Sequence, residues 1–216
     1  MAHPSKLLSV SEALLKDPAK LLPTAEPVSF FRLTSQLFLI TALGFGMSGL
    51  VIGGFSGEAP IYYAPAKILF GGIAAGMITL PGLYILTNLS GADFTFRNTV
   101  VQILITLATI GMVLLALAPI GWIISESTNS QEIFQTLMLF FYTVAVGMGL
   151  QRSLRALSKT CERPLYLKLW MVIFVLVSFQ MTSSLRPLSG ESPFTQPNNH
   201  QFFLEHWLDT FKTEDW

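Results

Sequence analysis

Ser48 is the candidate for an intramembrane nucleophile in this 216-residue chain. Ser48 lies in the segment Gly46–Gly49, between small residues of a long apolar run. A serine becomes nucleophilic only beside a base, and the three histidines, His3, His200 and His206, all lie outside the apolar runs. The segment therefore indicates helix packing, and we expect the protein not to be an enzyme.

A second group near the C-terminus could bind a metal ion. It consists of His200, Glu205, His206 and Asp209, and its last two members are one helical turn apart. No HExxH or CxxC motif accompanies them, and a closed site needs more converging ligands than these. We expect a solvated helix face, with no metal and no cofactor.

Four polar side chains are candidates for function within or beside the apolar runs. Lys67 lies close to the start of the second run, where it can extend to the interface; its natural partner otherwise is Glu58 or a C-terminal carboxylate. The others are Gln102, Gln180 and Arg186. Neutral groups such as Gln102 usually form hydrogen bonds between membrane helices.

The elements that must position these residues are apolar runs of membrane-spanning length. The chain is 51% apolar and only 12% charged, too few charges to cover a soluble surface. A spanning helix needs about 20 apolar residues. Five runs meet or approach that length, and they predict an all-α five-helix transmembrane bundle: 34–55, 63–87, 98–124, 133–150 and 165–182.

The bundle, residues 33–184, is expected to have amphipathic flanking helices. In the N-terminal segment, residues 1–32, Ser5–Lys16 predicts a short helix that lies at the headgroup boundary, or else a loosely ordered tail. In the C-terminal segment, residues 185–216, Asn199–Lys212 predicts a helix too short and polar to span.

Glycines spaced four apart recur in the first two spans. They are Gly49 and Gly53 in the first, Gly57 just after it, and Gly72 and Gly76 in the second. Small residues at this spacing let two membrane helices approach closely. We expect the two spans to form a tight antiparallel hairpin, although the partner could equally be another chain. Pro81 and Pro119 are expected to kink their helices, and Trp170 is expected at the membrane interface.

The charges of the connecting segments predict the orientation. Residues 151–168 are strongly basic, whereas residues 125–132 carry two acids and no cation. Basic segments favour the cytoplasm, which predicts a multi-pass protein of the bacterial inner membrane. Its N-terminus would be cytoplasmic and, after five spans, its C-terminus extracytoplasmic.

Several landmarks resemble a family of small, uncharacterised bacterial five-span inner-membrane proteins. They are the run Gly49–Gly57, Lys67, the segment Leu80–Tyr84 with Asn88 and Gly91, Leu117–Pro119, Gln180–Met181 and Leu185–Pro187. The span count and the lead-in Leu15–Pro18 are also similar to the Yip1 family. The resemblance implies an adaptor or scaffold role with no catalytic residue, but the chain lacks the extended cytoplasmic domain of eukaryotic Yip1 proteins.

The sequence therefore predicts a non-enzymatic membrane subunit that scaffolds or regulates a larger inner-membrane complex. Its partners would be the lipid bilayer and other membrane subunits or further copies of itself; a net charge of zero gives no attraction for nucleic acid. The alternative is a small transporter or channel component with a site near Lys67 and Pro81, since broken helices often mark transport sites.

Overall fold

The computed structural model describes residues 7–16, 21, 27–56, 60–128, 130–158 and 164–185. Within these residues it contains six α-helices and no β-strand. The helices are α1 (Leu7–Lys16), α2 (Pro27–Ser56), α3 (Pro60–Leu89), α4 (Phe96–Ser127), α5 (Gln131–Leu157) and α6 (Pro164–Leu185). The expected C-terminal helix at residues 199–212, with its candidate metal ligands, lies outside the described part.

Four of these helices are long and apolar enough to cross a membrane. The qualifying segments are Phe30–Phe55, Tyr62–Leu89, Phe96–Ser127 and Gln131–Leu157. The apolar part of α6, Leu165–Met181, is shorter. The expectation of an all-helical fold is confirmed for the described residues, and four helices have the length and composition that crossing a membrane requires. A fifth span remains a proposal.

Successive long helices run in opposite directions. Near one end of the bundle, the Arg97 guanidinium at the start of α4 lies over the Phe30 ring near the start of α2, 4.8 Å from its centroid. Near the other end, Phe55 of α2 stacks on Phe134 of α5 with ring centroids 4.0 Å apart. We call the first of these the α1 end and the second the opposite end.

The turn between α3 and α4 is fixed by the side chain of Asn88. Its amide nitrogen donates to the carbonyls of Tyr84 and Phe94, at 2.8 and 3.3 Å, and its oxygen accepts from the Phe94 N–H at 3.1 Å. Gly91 has a φ of 88°, a left-handed conformation that glycine adopts without steric cost. The side chain of Thr95 then accepts from the Asn98 N–H and caps α4.

Helix α4 is the centre of the bundle. It packs most extensively on α2, then on α5 and α3, while α6 packs mainly on α3. Among the four spanning segments α4 is the most buried and α5 the least. The unequal burial leaves one long side of α5 facing outward.

The short helix α1 lies against the bundle rather than apart from it. Val10 and Leu14 are fully buried, and they pack with Leu37 of α2 and Val101 of α4. The part of α1 that contains Val10 and Leu14 is therefore covered by protein rather than by lipid headgroups, whereas Leu15 is 51% exposed. Glu12 and Lys16, on the outward side of α1, form an ion pair of 2.6 Å.

Trp170 differs from its expected place at the interface. Its ring is only 1% exposed and packs in the core shared by α3 and α6. Its indole N–H donates to the carbonyl of Thr79 at 3.0 Å. A buried indole needs such a partner, and the bond is made in the turn that precedes Pro81, within a helix that continues through that proline.

Candidate functional site

Two of the glycines expected to pack α2 on α3 lie at that contact. A Cβ atom on Gly49 would lie 2.4 Å from the Cα of Pro65 on α3. A Cβ on Gly72 would lie 2.6 Å from the Phe45 ring on α2. Both distances are shorter than real contacts allow, so these positions accept only glycine without movement of a neighbour.

The remaining predicted glycines are placed differently. Gly76 faces α4 rather than α2, because a Cβ there would meet Leu107 at 2.9 Å and Ile103 at 3.0 Å. Gly53 is buried on α2. Gly57 lies outside the described residues. The glycines of α3 therefore serve two neighbouring helices instead of one.

The closest backbone approach is one that sequence spacing did not identify. A Cβ on Gly44 of α2 would lie 2.0 Å from the carbonyl oxygen of Gly111 on α4. Gly44 and Gly111 each lack a glycine four residues away, so the GxxxG pattern does not mark them. Their contact is visible only when the two helices are placed together.

Gln102 of α4 belongs to a buried polar cluster at the crossing of α4 and α5. Its amide nitrogen donates to the Ser153 hydroxyl at 2.6 Å, and the Ser153 and Thr106 hydroxyls lie 2.7 Å apart. The Thr106 hydroxyl also lies 2.9 Å from the backbone carbonyl of Gln102. All three side chains are at least 98% buried. We call these three residues the polar chain.

The hydrogen positions in the polar chain follow from its acceptors. A carbonyl can only accept, so the Thr106 hydroxyl donates to the carbonyl of Gln102. Ser153 must then donate to Thr106, since the proton of Thr106 is already used. The chain runs in one direction, from the amide of Gln102 through two hydroxyls to that residue's own backbone, and such chains strengthen each bond.

Arg152, the residue before Ser153 on α5, connects the bundle to α1. Arg152 of α5 donates through Nη1 to the carbonyl of Leu14, at 3.1 Å, and to that of Leu15. These carbonyls belong to the last turn of α1, where intrahelical partners are absent and a cation is favoured. Arg152 therefore fastens the C-terminal end of α1 to the bundle.

Lys67 and Pro81, which were expected to lie near a common site, are far apart along α3. The Lys67 ammonium lies over the ring of Tyr63, one turn earlier on α3, at 4.8 Å from the ring centroid. Pro81 is exposed and fourteen residues further along the same helix, a separation of about 21 Å. Gln180 is half-buried on α6, and Arg186 lies outside the described residues.

The Ser48 hydroxyl is bound within its own helix. It donates to the carbonyl of Phe45 at 2.9 Å, a local bond common for serine in membrane helices. The described residues also contain no group of three or more histidine, cysteine or acidic side chains placed to hold a metal ion.

The outward side of α5 combines small, polar and aromatic residues. It is formed by residues spaced three or four apart, all of them exposed: Thr136, Phe140, Thr143, Gly147 and Gln151. No atom lies within 4 Å of a Cβ built on Gly147. We call these five residues the α5 face.

No protein-family model, curated protein or solved structure matches this chain. The resemblances drawn from short glycine and proline motifs therefore remain expectations.

Proposed function

We propose that the protein is a non-enzymatic membrane subunit that scaffolds or regulates a larger complex, with the α5 face as its contact for a helix of another subunit. The α5 face is the observation that carries this proposal. A side of a spanning helix that faced only lipid would need no glycine, threonine or glutamine. Small and polar residues are instead typical of contacts between membrane helices.

The small and polar residues outside the α5 face support the same function, because contacts within the chain already occupy them. Gly49, Gly72 and Gly76 are occupied by contacts within the chain, and Gln102 bonds within it as well. Thr143 and Gln151 lie exposed on the least buried span, and the hydrogen bond described for the Thr143 hydroxyl is a local one to the carbonyl of Leu139. Among the described residues, the α5 face therefore offers small and polar residues that remain exposed for packing against a partner helix.

The proposed location is a bacterial inner membrane, and the distribution of charge supports a cytoplasmic N-terminus in it. Cations predominate among the described residues of the α1 end, which include Lys16, Arg32, Arg97, Arg152, Arg155 and Lys168. At the opposite end, the described charged residues include two acids, Glu126 and Glu132, and the cation Lys67. The positive-inside rule then assigns the α1 end to the cytoplasm.

The length of α6 supports a fifth span. The helix has 22 residues, which corresponds to about 33 Å at the rise of an α-helix. A hydrocarbon core is about 30 Å thick. With α6 across the membrane, the C-terminal segment reaches the extracytoplasmic side.

Site-specific photocrosslinking in native membranes tests the proposed contact. A photoreactive residue at position 147 should give an adduct with one defined protein, because the α5 face is covered by a partner helix. The matched control is position 77, since Met77 is 68% exposed on α3, away from the α5 face; it should react with lipid alone. Adducts with lipid alone at both positions would contradict the proposal.

A small transporter or channel component remains the second proposal. The presence of Pro81 within α3 is the feature that favours it, because a proline removes one helical hydrogen bond and transport sites often lie where a helix is interrupted. The roughly 21 Å between Lys67 and Pro81 means that any such site would use only one of them. Substrate flux in proteoliposomes that is lost in Lys67→Ala would favour this function over the scaffold.

A further inference from the structure

The polar chain leaves one buried acceptor without a donor. Oε1 of Gln102 is the buried side-chain oxygen for which no hydrogen-bond partner is found among the described residues. The Gln102 side chain is 0% exposed. A buried carbonyl without a donor costs about 1–3 kcal/mol, so its position in an otherwise well-bonded cluster requires an explanation.

Exchanging the oxygen and nitrogen of the Gln102 amide does not remove the deficit. In the exchanged orientation the oxygen would accept from Ser153, and the NH₂ group would occupy the present place of Oε1. Two N–H donors would then lack acceptors, and no proton would remain for the contact between Ser153 and Thr106. The present orientation leaves one acceptor and one N–H of the amide unpaired and keeps that contact. The orientation with Nε2 on Ser153, at 2.6 Å, is therefore the better one.

The cluster as a whole has more acceptors than donors. Each hydroxyl oxygen can accept twice, and Ser153 and Thr106 each accept once within the polar chain. Oε1, one lone pair on each hydroxyl and one N–H of the Gln102 amide are left over, so unused acceptors still outnumber unused donors. The chemistry needed is that of a small neutral molecule which supplies two protons to acceptors within one site.

We propose that the α4–α5 crossing binds one water molecule, which donates one hydrogen to Gln102 Oε1 and the other to a hydroxyl of the polar chain. Buried waters typically make two to four hydrogen bonds to groups of this kind. A metal cation fits less well, because the hydroxyl oxygens are already engaged and the guanidinium-bearing Arg152 is adjacent to Ser153 in sequence.

The proposed water site lies close to the α1 end of the bundle, so the path from the surrounding water is short. Gln102 is six residues from the start of α4 and Ser153 is four from the end of α5, which places them about 9 and 6 Å inside their helix ends. Helix α1 packs on Val101, the neighbour of Gln102, and is fastened by Arg152. The water would therefore be enclosed beneath α1.

Water-edited solid-state NMR of the full chain in liposomes tests the proposal. Magnetisation from water should reach the side-chain amide of Gln102 several-fold faster than the indole N–H of Trp170. That indole is the matched control, because it is equally buried and donates to the carbonyl of Thr79. The variant Gln102→Met identifies the amide signal without changing the measurement itself.

Two outcomes would overturn the water site. Transfer to Gln102 that is as slow as transfer to Trp170 would show that the crossing is dry. A change in the Gln102 carbonyl shift when sodium and potassium are replaced by a bulky organic cation would show that a metal ion occupies the site. Fast transfer with an unchanged shift supports the proposal.

Discussion

Gly44 of α2 and Gly111 of α4 meet so closely that a Cβ on Gly44 would lie 2.0 Å from the Gly111 carbonyl oxygen. Backbone atoms on both sides of the contact leave no flexible side chain that could move aside. The two helices can keep this crossing only while Gly44 has no side chain. The most extensive helix contact of the bundle therefore depends on this pair.

We expect Gly44→Ala to destabilise the protein by at least about 2 kcal/mol, since overpacking a close contact typically costs 1–3 kcal/mol. Reversible unfolding in mixed detergent micelles measures the change. The control is Gly46→Ala, where a Cβ meets no atom within 4 Å. It should be neutral or slightly stabilising, because alanine favours a helix more than glycine does. Equal losses in the two variants would contradict the contact.

Ser153→Ala is expected to lower stability by about 1 kcal/mol, because the amide of Gln102 and the hydroxyl of Thr106 both lose a partner. The same unfolding measurement applies. Ser48→Ala is the matched control, since that hydroxyl bonds only to its own helix in the described contacts, and it should change stability little. A smaller effect at position 153 than at position 48 would argue against the polar chain.

Removing the side chain of Arg152 should release α1 from the bundle. The guanidinium donates to two carbonyls at the end of α1, and hydrogen bonds from charged groups contribute about 1.5–3 kcal/mol. In Arg152→Ala we expect faster hydrogen exchange at the amides of Val10–Lys16. Arg155→Ala, which removes an exposed cation one turn away, should leave that exchange unchanged. Unaltered exchange in both variants would show that apolar packing alone holds α1.

Trp170→Phe removes the indole donor to the carbonyl of Thr79 and the part of the buried ring that phenylalanine lacks. A loss of at least about 1 kcal/mol is expected, because the carbonyl loses its partner and a small cavity is left. Trp122→Phe is the control, because Trp122 is 46% exposed; it should have almost no effect. Thermal unfolding in detergent compares the two variants, and an equal effect would contradict a buried, bonded indole.

The stability of α1 should decline at low pH. The hydrogen bond and charge of Lys16 lower the pKa of Glu12 below its ordinary value of 4.5, and Glu12 in turn raises the pKa of Lys16 above 10.5. The contribution of Glu12 is thus present above 4.5 and is lost as the pH falls through the lowered pKa. The contribution of Lys16 is lost only as the pH rises through its raised pKa.

The protection factors of the α1 amides measure this effect when they are followed against pH, since they correct the exchange rate for the intrinsic influence of pH. The effect should be small, because exposed ion pairs contribute little. Glu12→Gln should remove the loss of α1 stability at low pH. If that loss persists in Glu12→Gln, the pH dependence belongs to another group.

The sequence determined the helical class and the approximate extent of each apolar segment, because a segment's ability to cross a membrane depends on its own composition. It also indicated that Gln102 would bond within the protein and that α1 would be an amphipathic helix. These features depend on residues close together in the chain. Helix α4 begins at Phe96, two residues before the expected span 98–124, because Thr95 caps its start, and hydropathy does not record a cap.

Only the tertiary structure decided which faces meet. Residues four apart on a helix differ by about 40° in direction, so Gly72 faces α2 while Gly76 faces α4. The pairing of Gly44 with Gly111, of Gln102 with Ser153 and of Trp170 with Thr79 joins residues 51 to 91 positions apart. Such contacts depend on the rotation of each helix about its axis, which the packing of all its neighbours sets together.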